Sequence, residues 1–151
     1  MSRRKVLINL IERLPIVNGD FNNAGITGWT PQSATISYEV FDGKNAVVIE
    51  NAGGYTMLKQ EVACVIGKKY SVRALVHDNN LANDVGLVVY DGALQNVTIN
   101  AQHDSLILQA HTAPQSTDWE WTEDVFTAIS TMVTVCVREF GLNTARVNEV
   151  I

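Results

Sequence analysis

Apolar and polar residues alternate in short segments along most of the chain, and this alternation restricts the fold more than any other feature of the sequence. The clearest segment is Tyr70 to His77, where Tyr70, Val72, Ala74 and Val76 would all point to one side of a strand. About ten such segments are separated by turn residues, and no convincing helix follows the N-terminal region. The pattern predicts an all-β fold, an antiparallel two-sheet β-sandwich of the jelly-roll type.

Two structures are open for the N-terminal segment. Four of its apolar residues have helical spacing: Leu7, Leu10, Ile11 and Leu14. The alternation of Val6, Ile8 and Leu10 fits an extended arm nearly as well. We expect a short arm or helix over residues 1–16 and a jelly-roll domain over residues 17–151. The arm would either cover an open end of the core or dock on a neighbouring subunit.

The composition excludes several classes of partner. The 151 residues are 46% hydrophobic and 18% charged, which suits one globular domain. The net charge is −5 and the cations are scattered after residue 5, whereas nucleic-acid binding needs clustered positive charge. No apolar run approaches the length of a membrane span, and polar residues interrupt the N-terminal apolar region, so we expect no membrane partner and no signal peptide. Cys64 and Cys136 are therefore expected to be reduced and buried.

The stretch from Val17 to Trp29 is rich in glycine and asparagine, which favour turns, and contains the aromatic anchors Phe21 and Trp29. Five further landmarks accompany its opening motif in a fixed order. The six are Asn18-Gly19-Asp20-Phe21-Asn22, Gly28-Trp29, Gln60-Glu61-Val62, Gly67-Lys68-Lys69-Tyr70-Ser71-Val72, Trp119 with Phe126, and Val147-Asn148-Glu149-Val150. This order resembles the β-jelly-roll carbohydrate-binding modules that accompany xylanases and cellulases, within the galactose-binding-like sandwich group. The resemblance covers Val17 to Ile151 and implies that the last strand lies near the Val17–Trp29 stretch.

The resemblance also implies a place for a metal. Many members of the family carry a structural calcium ion, whose ligands include the Glu of the opening motif and the first Asp of the closing one. Asn22 and Asn148 stand at those positions here, and each substitution removes a negative charge from a site for a hard cation. Asp20 and Glu149 lie near enough in sequence to compensate. We therefore expect no cofactor, with a structural calcium at Asp20, Asn22, Asn148 and Glu149 as the alternative.

Sugar recognition would need an exposed aromatic ring beside amide or carboxylate groups. The best candidates in the sequence are Trp121, Tyr90 and Arg73, provided that Trp121 faces outward. Carboxylates such as Glu120 and Glu123 lie on or beside one strand, where an outer face is normally just solvated, and no nucleophile elbow or phosphate loop occurs. The sequence therefore predicts no enzyme.

Two functions remain open. The first is a virion structural or adhesion protein, such as a capsid cement or decorating protein or a tail component, located in the virion or in the cytoplasm before assembly. It would bind copies of itself or other capsid or tail proteins through apolar residues expected on the arm and on outer faces: Leu7, Leu10, Ile11, Leu14, Leu75 and Val88. The alternative is a carbohydrate-binding module that recognises a polysaccharide or cell-surface glycan. We expect the first, because such modules usually occur beside a catalytic domain and a signal peptide.

Overall fold

The computed structural model of the chain describes residues 10–22, 25–53, 55–78, 85–100, 106–111, 118–139 and 144–151. In order, the strands are β1 (Ile11–Arg13), β2 (Thr30–Gln32), β3 (Ala34–Phe41), β4 (Lys44–Asn51), β5 (Thr56–Ala63), β6 (Lys69–Asp78), β7 (Val85–Asp91), β8 (Leu106–His111), β9 (Glu120–Thr127), β10 (Met132–Glu139) and β11 (Thr144–Val150). None of the described segments is a helix that could span a membrane.

The strands form two sheets that face each other. Sheet A contains β9, β6, β11, β4 and β3 in that order, and β1 pairs with the first residues of β6. Sheet B has the order β2, β5, β10, β7, β8. Every pairing between described strands is antiparallel except that of β1 with β6. The predicted all-β sandwich is confirmed.

The main core lies between the two sheets and follows the predicted alternation. In β6 the side chains of Tyr70, Val72, Ala74 and Val76 are all buried against sheet B. They meet alternate residues of the opposite sheet, including Leu58, Leu87, Val133, Val135 and Val137. Each fully buried aliphatic side chain contributes about 1.5–3 kcal/mol of transfer free energy, so this layer dominates the stability of the fold.

A second apolar layer covers the outer face of sheet B. Residues 92–100, which we call the strap, lie across this face. Ile99 of the strap is buried in a cluster with Met57, Val88, Tyr90 and Cys136 of sheet B, and Leu94 of the strap and Tyr55 pack against this cluster. The prediction that Val88 is exposed is therefore wrong: its side chain does point away from the main core, but the strap covers it.

Polar side chains of sheet B hold the strap in place. Lys59 is only 3% exposed, and its ammonium donates to Leu94 O at 3.2 Å, Val97 O at 2.7 Å and Gln32 Oε1 at 3.0 Å. Burial lowers the pKa of Lys59 from its ordinary value. Thr134 Oγ1 accepts a hydrogen bond from Leu94 N and donates one to Gly92 O, both at 2.8 Å. The strap is thus fixed through its own backbone carbonyl and amide groups.

The N-terminal segment is extended where it is described. Ile11–Arg13 forms β1, and Leu14 is a buried core residue rather than a contact for a partner. Leu10 and Ile11 are exposed, whereas Leu7 lies outside the described residues. The division into an arm over residues 1–16 and a domain over residues 17–151 stays a prediction.

The expected exposure of Leu75 is also wrong. Leu75 faces outward from sheet A but is only 7% exposed. Its strand is central in the sheet, and the residues paired with Leu75 on either side are Trp121 and Glu149, which both have longer side chains. A side chain that points outward from a central strand can therefore still be buried by its neighbours.

The buried ammonium gives a stability prediction. Replacing Lys59 by Met leaves Leu94 O and Val97 O without this donor beneath the strap, so we expect a loss of about 2–3 kcal/mol in the free energy of unfolding. The matched variant Lys68→Met removes only an exposed pair with Glu12 and should cost under about 1 kcal/mol. Urea denaturation measures the free energy of unfolding of both variants, provided that their m-values are unchanged. Equal losses in the two variants would contradict the role of Lys59 in holding the strap.

Candidate functional site

A cleft of about 400 Å³ opens at the β3 edge of sheet A, between that strand and the Val17–Trp29 stretch. We call it the Tyr38 cleft. It is lined by Asp20, Phe21, Asn22, Tyr38, Glu39, Val40, Asn45, Ala46, Val47 and Asn148.

One wall exists because β3 is an edge strand. Its residues with even numbers, from Ala34 to Val40, share the face that points toward sheet B. Ile36 is still partly buried in the core, but Tyr38 is 57% exposed and Val40 is 72% exposed. Tyr38 and Val40 therefore present apolar surface to the cleft instead of to the core.

The opposite wall is a tightly organised turn. Phe21 has φ = 57°, a left-handed conformation that is unusual for a bulky residue, and its ring packs on Trp29 with centroids 5.6 Å apart. The amide of Asn18 donates to Gly25 O at 2.8 Å and to Thr27 O at 3.0 Å, which closes the turn. Strained backbone conformations such as that of Phe21 are often found at binding sites.

Tyr38 rests directly on this turn. Gly25 has φ = 69°, and a Cβ added there would lie 2.5 Å from Tyr38 Oη. Only glycine fits at this position, both for its backbone conformation and for the close approach of the ring. The ring is thus supported on one side while more than half of the side chain stays exposed.

Polar groups surround the ring. The amides of Asn22, Asn45 and Asn148 and the carboxylate of Asp20 line the cleft. The Asn148 amide donates to Asn45 O at 2.7 Å, and Asp20 Oδ1 accepts the Asn22 N–H at 3.2 Å. These contacts hold the side chains in place and leave further donor and acceptor positions for a ligand.

Glu39 borders the cleft, but as an odd-numbered residue of β3 its side chain points to the outer face of sheet A, where it is half of an ion pair. Arg146, which is mostly buried, donates through Nε to Glu39 Oε1 and lies over the Phe41 ring at 3.9 Å. The Phe41 carbonyl in turn accepts from Trp119 Nε1 at 3.3 Å. This chain of contacts ties the β3–β4 hairpin to the neighbouring strands of sheet A.

The structure brings together most of the predicted metal residues. Asp20, Asn22 and Asn148 line the Tyr38 cleft, whereas Glu149 lines a neighbouring cavity that Asp20 also borders. The opening and closing motifs are adjacent, as the resemblance implies, because Val150 N donates to Gly19 O at 2.8 Å. In the part of the chain that the structure describes, no group of three or more His, Cys, Asp or Glu side chains is placed to hold a metal. Asp20 and two neutral amides fit a calcium ion poorly, and the calcium site stays a prediction.

The predicted ligand residues do not form one site. Trp121 is 42% exposed on the outer face of sheet A, with the Arg73 guanidinium 4.3 Å from its ring centroid. Tyr90 belongs to sheet B and is 4% exposed beneath the strap. The prediction that Tyr90 accompanies Trp121 and Arg73 is wrong, because alternation along a strand does not reveal which sheet the strand joins.

Sequence reasoning missed Tyr38 and Asn45. Tyr38 alternates with polar residues along β3, and this alternation indicates that it points inward but not that more than half of it is exposed. The available signal was the concentration of Asn and Asp residues in the Val17–Trp29 stretch and in the turn before Ala46.

Comparison with known proteins supports the fold. No protein-family model and no curated protein matches the chain. Among solved structures, the enzymatically active domain of tailspike protein 4 from bacteriophage CBA120 matches with a TM-score of 0.66, 12% identity and 91% of this chain covered, but only 21% of the tailspike chain. The C-terminal family 22 carbohydrate-binding module of Clostridium thermocellum Xyn10B matches with a TM-score of 0.61, 11% identity and coverage of 91% and 95%. TmCBM61, solved with β-1,4-galactotriose, matches with a TM-score of 0.59, 15% identity and coverage of 92% and 97%.

The chain has the jelly-roll fold of carbohydrate-binding modules. These modules match over nearly their whole length, whereas the chain spans about a fifth of the tailspike protein. At these identities the likeness establishes the fold and not the ligand.

The metal prediction can be tested by thermal unfolding. Because the cleft offers few anionic ligands, we expect the midpoint in millimolar CaCl₂ to stay within about 1 °C of that in EDTA. A rise of several degrees that is abolished by Asp20→Asn would contradict this expectation. It would then assign a calcium ion to the Asp20 side of the cleft.

Proposed function

We propose that this chain is a non-catalytic carbohydrate-binding domain and that the Tyr38 cleft holds the sugar. The observation that carries the proposal is an exposed aromatic ring in a cleft that three asparagines and Asp20 also line. The shared jelly-roll fold of several carbohydrate-binding modules supports it.

The chemistry of the cleft suits a pyranose. One face of a sugar ring carries mostly C–H groups, which would pack on the exposed part of the Tyr38 ring, while the hydroxyls need donors and acceptors at the rim. Asn22 and Asn45 supply both kinds of group, and Asp20 supplies acceptors. Burial of apolar sugar carbons on Tyr38 would provide affinity, and the amides would provide orientation.

Other surfaces suit a sugar less well. The outer face of sheet B is filled by the strap, which occupies the space that a ligand would need. Trp121 lies on a sheet face rather than in a cleft lined by amides, and Arg73 already stacks on its ring. Trp121 and Arg73 therefore stay a weaker candidate site.

The carboxylates argue for binding rather than hydrolysis. A glycoside hydrolase needs a general acid that keeps its proton in an apolar setting and a second, ionised carboxylate facing it. Glu39 is instead paired with Arg146, and Glu120 and Glu123 lie along one strand away from the cleft.

A virion role is the second candidate, and the likeness to a phage tailspike favours it. Three of the residues expected to support it, Leu14, Leu75 and Val88, are buried and offer no contact surface. Purified particles that contain the chain in stoichiometric amounts would establish this role, and it is compatible with sugar binding.

A glycan array followed by calorimetry with the strongest ligand tests the proposal. We expect Tyr38→Ala to weaken binding at least about tenfold, equivalent to about 1.4 kcal/mol, because the platform for the sugar is lost. The matched variant Trp121→Ala removes an exposed aromatic elsewhere and should change the affinity by less than about twofold. If Trp121→Ala weakened binding and Tyr38→Ala did not, the site would be assigned to Trp121. The absence of any bound glycan would contradict the proposed function.

A further inference from the structure

The charged side chains that line the Tyr38 cleft are all acidic in the part of the chain that the structure describes. Asp20 and Glu39 line it, and its described lining includes no lysine, arginine or histidine. The other polar side chains of the lining are those of Tyr38 and three asparagines, which carry no charge at neutral pH. The described charge of the cleft is therefore negative.

The two carboxylates differ in how far their charge is compensated. Glu39 is paired with Arg146 on the outer face of sheet A, and this pair has no net charge. Asp20 is exposed, and its Oδ1 accepts the Asn22 N–H, which is an uncharged donor. Among the described residues, no cation forms an ion pair with Asp20. Asp20 is thus the main source of the negative charge that a ligand in the cleft meets.

Asp20 lies at the boundary between two cavities. It lines the Tyr38 cleft and also the neighbouring cavity of about 400 Å³, whose other charged lining residues are Arg13 and Glu149. The backbone before Asp20 is fixed against β11, because Val150 N donates to Gly19 O at 2.8 Å and a Cβ added at Gly19 would collide with Val150 O. A glycan that extends from the cleft into the neighbouring cavity therefore passes Asp20.

We propose that the Tyr38 cleft ranks its ligands by charge, with amino sugars bound more tightly than neutral sugars and acidic sugars bound least, and that Asp20 determines this ranking. The inference rests on the function proposed above and adds the class of sugar to it. An ammonium group on the ligand is attracted to the Asp20 carboxylate, whereas a carboxylate or sulfate group is repelled by it. A cleft whose uncompensated charge has one sign also concentrates its field on the ligand that enters.

The effect is limited by solvent because Asp20 is exposed. For an exposed pair of charges we expect a change in affinity of about twofold to fivefold for each unit of ligand charge. Salt weakens the effect further, since the Debye length falls from about 10 Å at 0.1 M to about 3 Å at 1 M ionic strength. The ranking should therefore be strongest in dilute buffer.

A glycan array followed by calorimetry tests the inference. We expect uronic acids, sialylated glycans and sulfated glycans to be missing from the strongest ligands. The strongest ligand without an acidic group is then converted, at each primary hydroxyl in turn, to an amine derivative and to a carboxylate derivative. In dilute buffer the amine derivative should bind about fourfold to twentyfold more tightly than the carboxylate derivative for at least one position, because the two differ by two units of charge.

Two variants assign this affinity ratio to a residue. Asp20→Asn keeps an oxygen that can accept the Asn22 N–H but removes the charge, so the ratio should fall to within about twofold of one. The matched variant Glu50→Gln removes an exposed carboxylate that does not line the cleft and should leave the ratio as it is. If Asp20 had only a structural role, Asp20→Asn would weaken both derivatives equally and the ratio would not change.

The possible failures of the inference and of the proposed function can be told apart. An acidic glycan as the strongest ligand, with binding lost in Tyr38→Ala, would overturn the ranking by charge and leave the sugar site in place. A ratio near one in the unmodified protein, or a ratio that Asp20→Asn does not change, would also overturn the inference alone. If the array shows no bound glycan at all, the proposed function fails, and the inference fails with it.

Discussion

The buried ammonium of Lys59 is the interaction on which the arrangement of the molecule depends. A charge that is 3% exposed needs acceptors, and two of the three it finds are backbone carbonyls of the strap. The strap must therefore lie on sheet B for Lys59 to be accommodated there. In doing so it covers Met57, Val88, Tyr90 and Cys136, which converts an outer face into a second core.

This closure leaves the outer face of sheet B without an open surface. An open cleft lies at the edge of sheet A, where Tyr38 and Val40 of β3 are exposed. The Val17–Trp29 stretch completes the cleft because Trp29 and Asn18 fix the turn against which Tyr38 packs. The same residues thus contribute to the stability of the fold and to the geometry of the site. Trp29 lies in the core, and the Phe21 ring packs on it at the cleft.

Much of this fold can be predicted from the sequence, and the features that could not be predicted have physical causes. Alternation in β6 correctly predicted which residues face the core, and the adjacency of the opening and closing motifs followed from the family resemblance. Alternation gives only the direction of a side chain, so it could not show that the strap buries Val88 or that Leu75 is enclosed by its neighbours. It also could not show that β3 is an edge strand, which is why Tyr38 was missed. The strap itself has no periodic pattern, since its contacts are made by single side chains of distant strands.

The most direct test of the account is a titration followed by ¹H–¹⁵N correlation spectra, using the strongest oligosaccharide found by array screening. The account predicts that shift changes concentrate at Asn22, Tyr38 and Asn45, while the amides of Leu94 to Ile99 in the strap stay unperturbed. Changes centred on the strap and on Met57 or Tyr90 would contradict it, because they would show that sheet B opens and that Lys59 does not hold the strap closed.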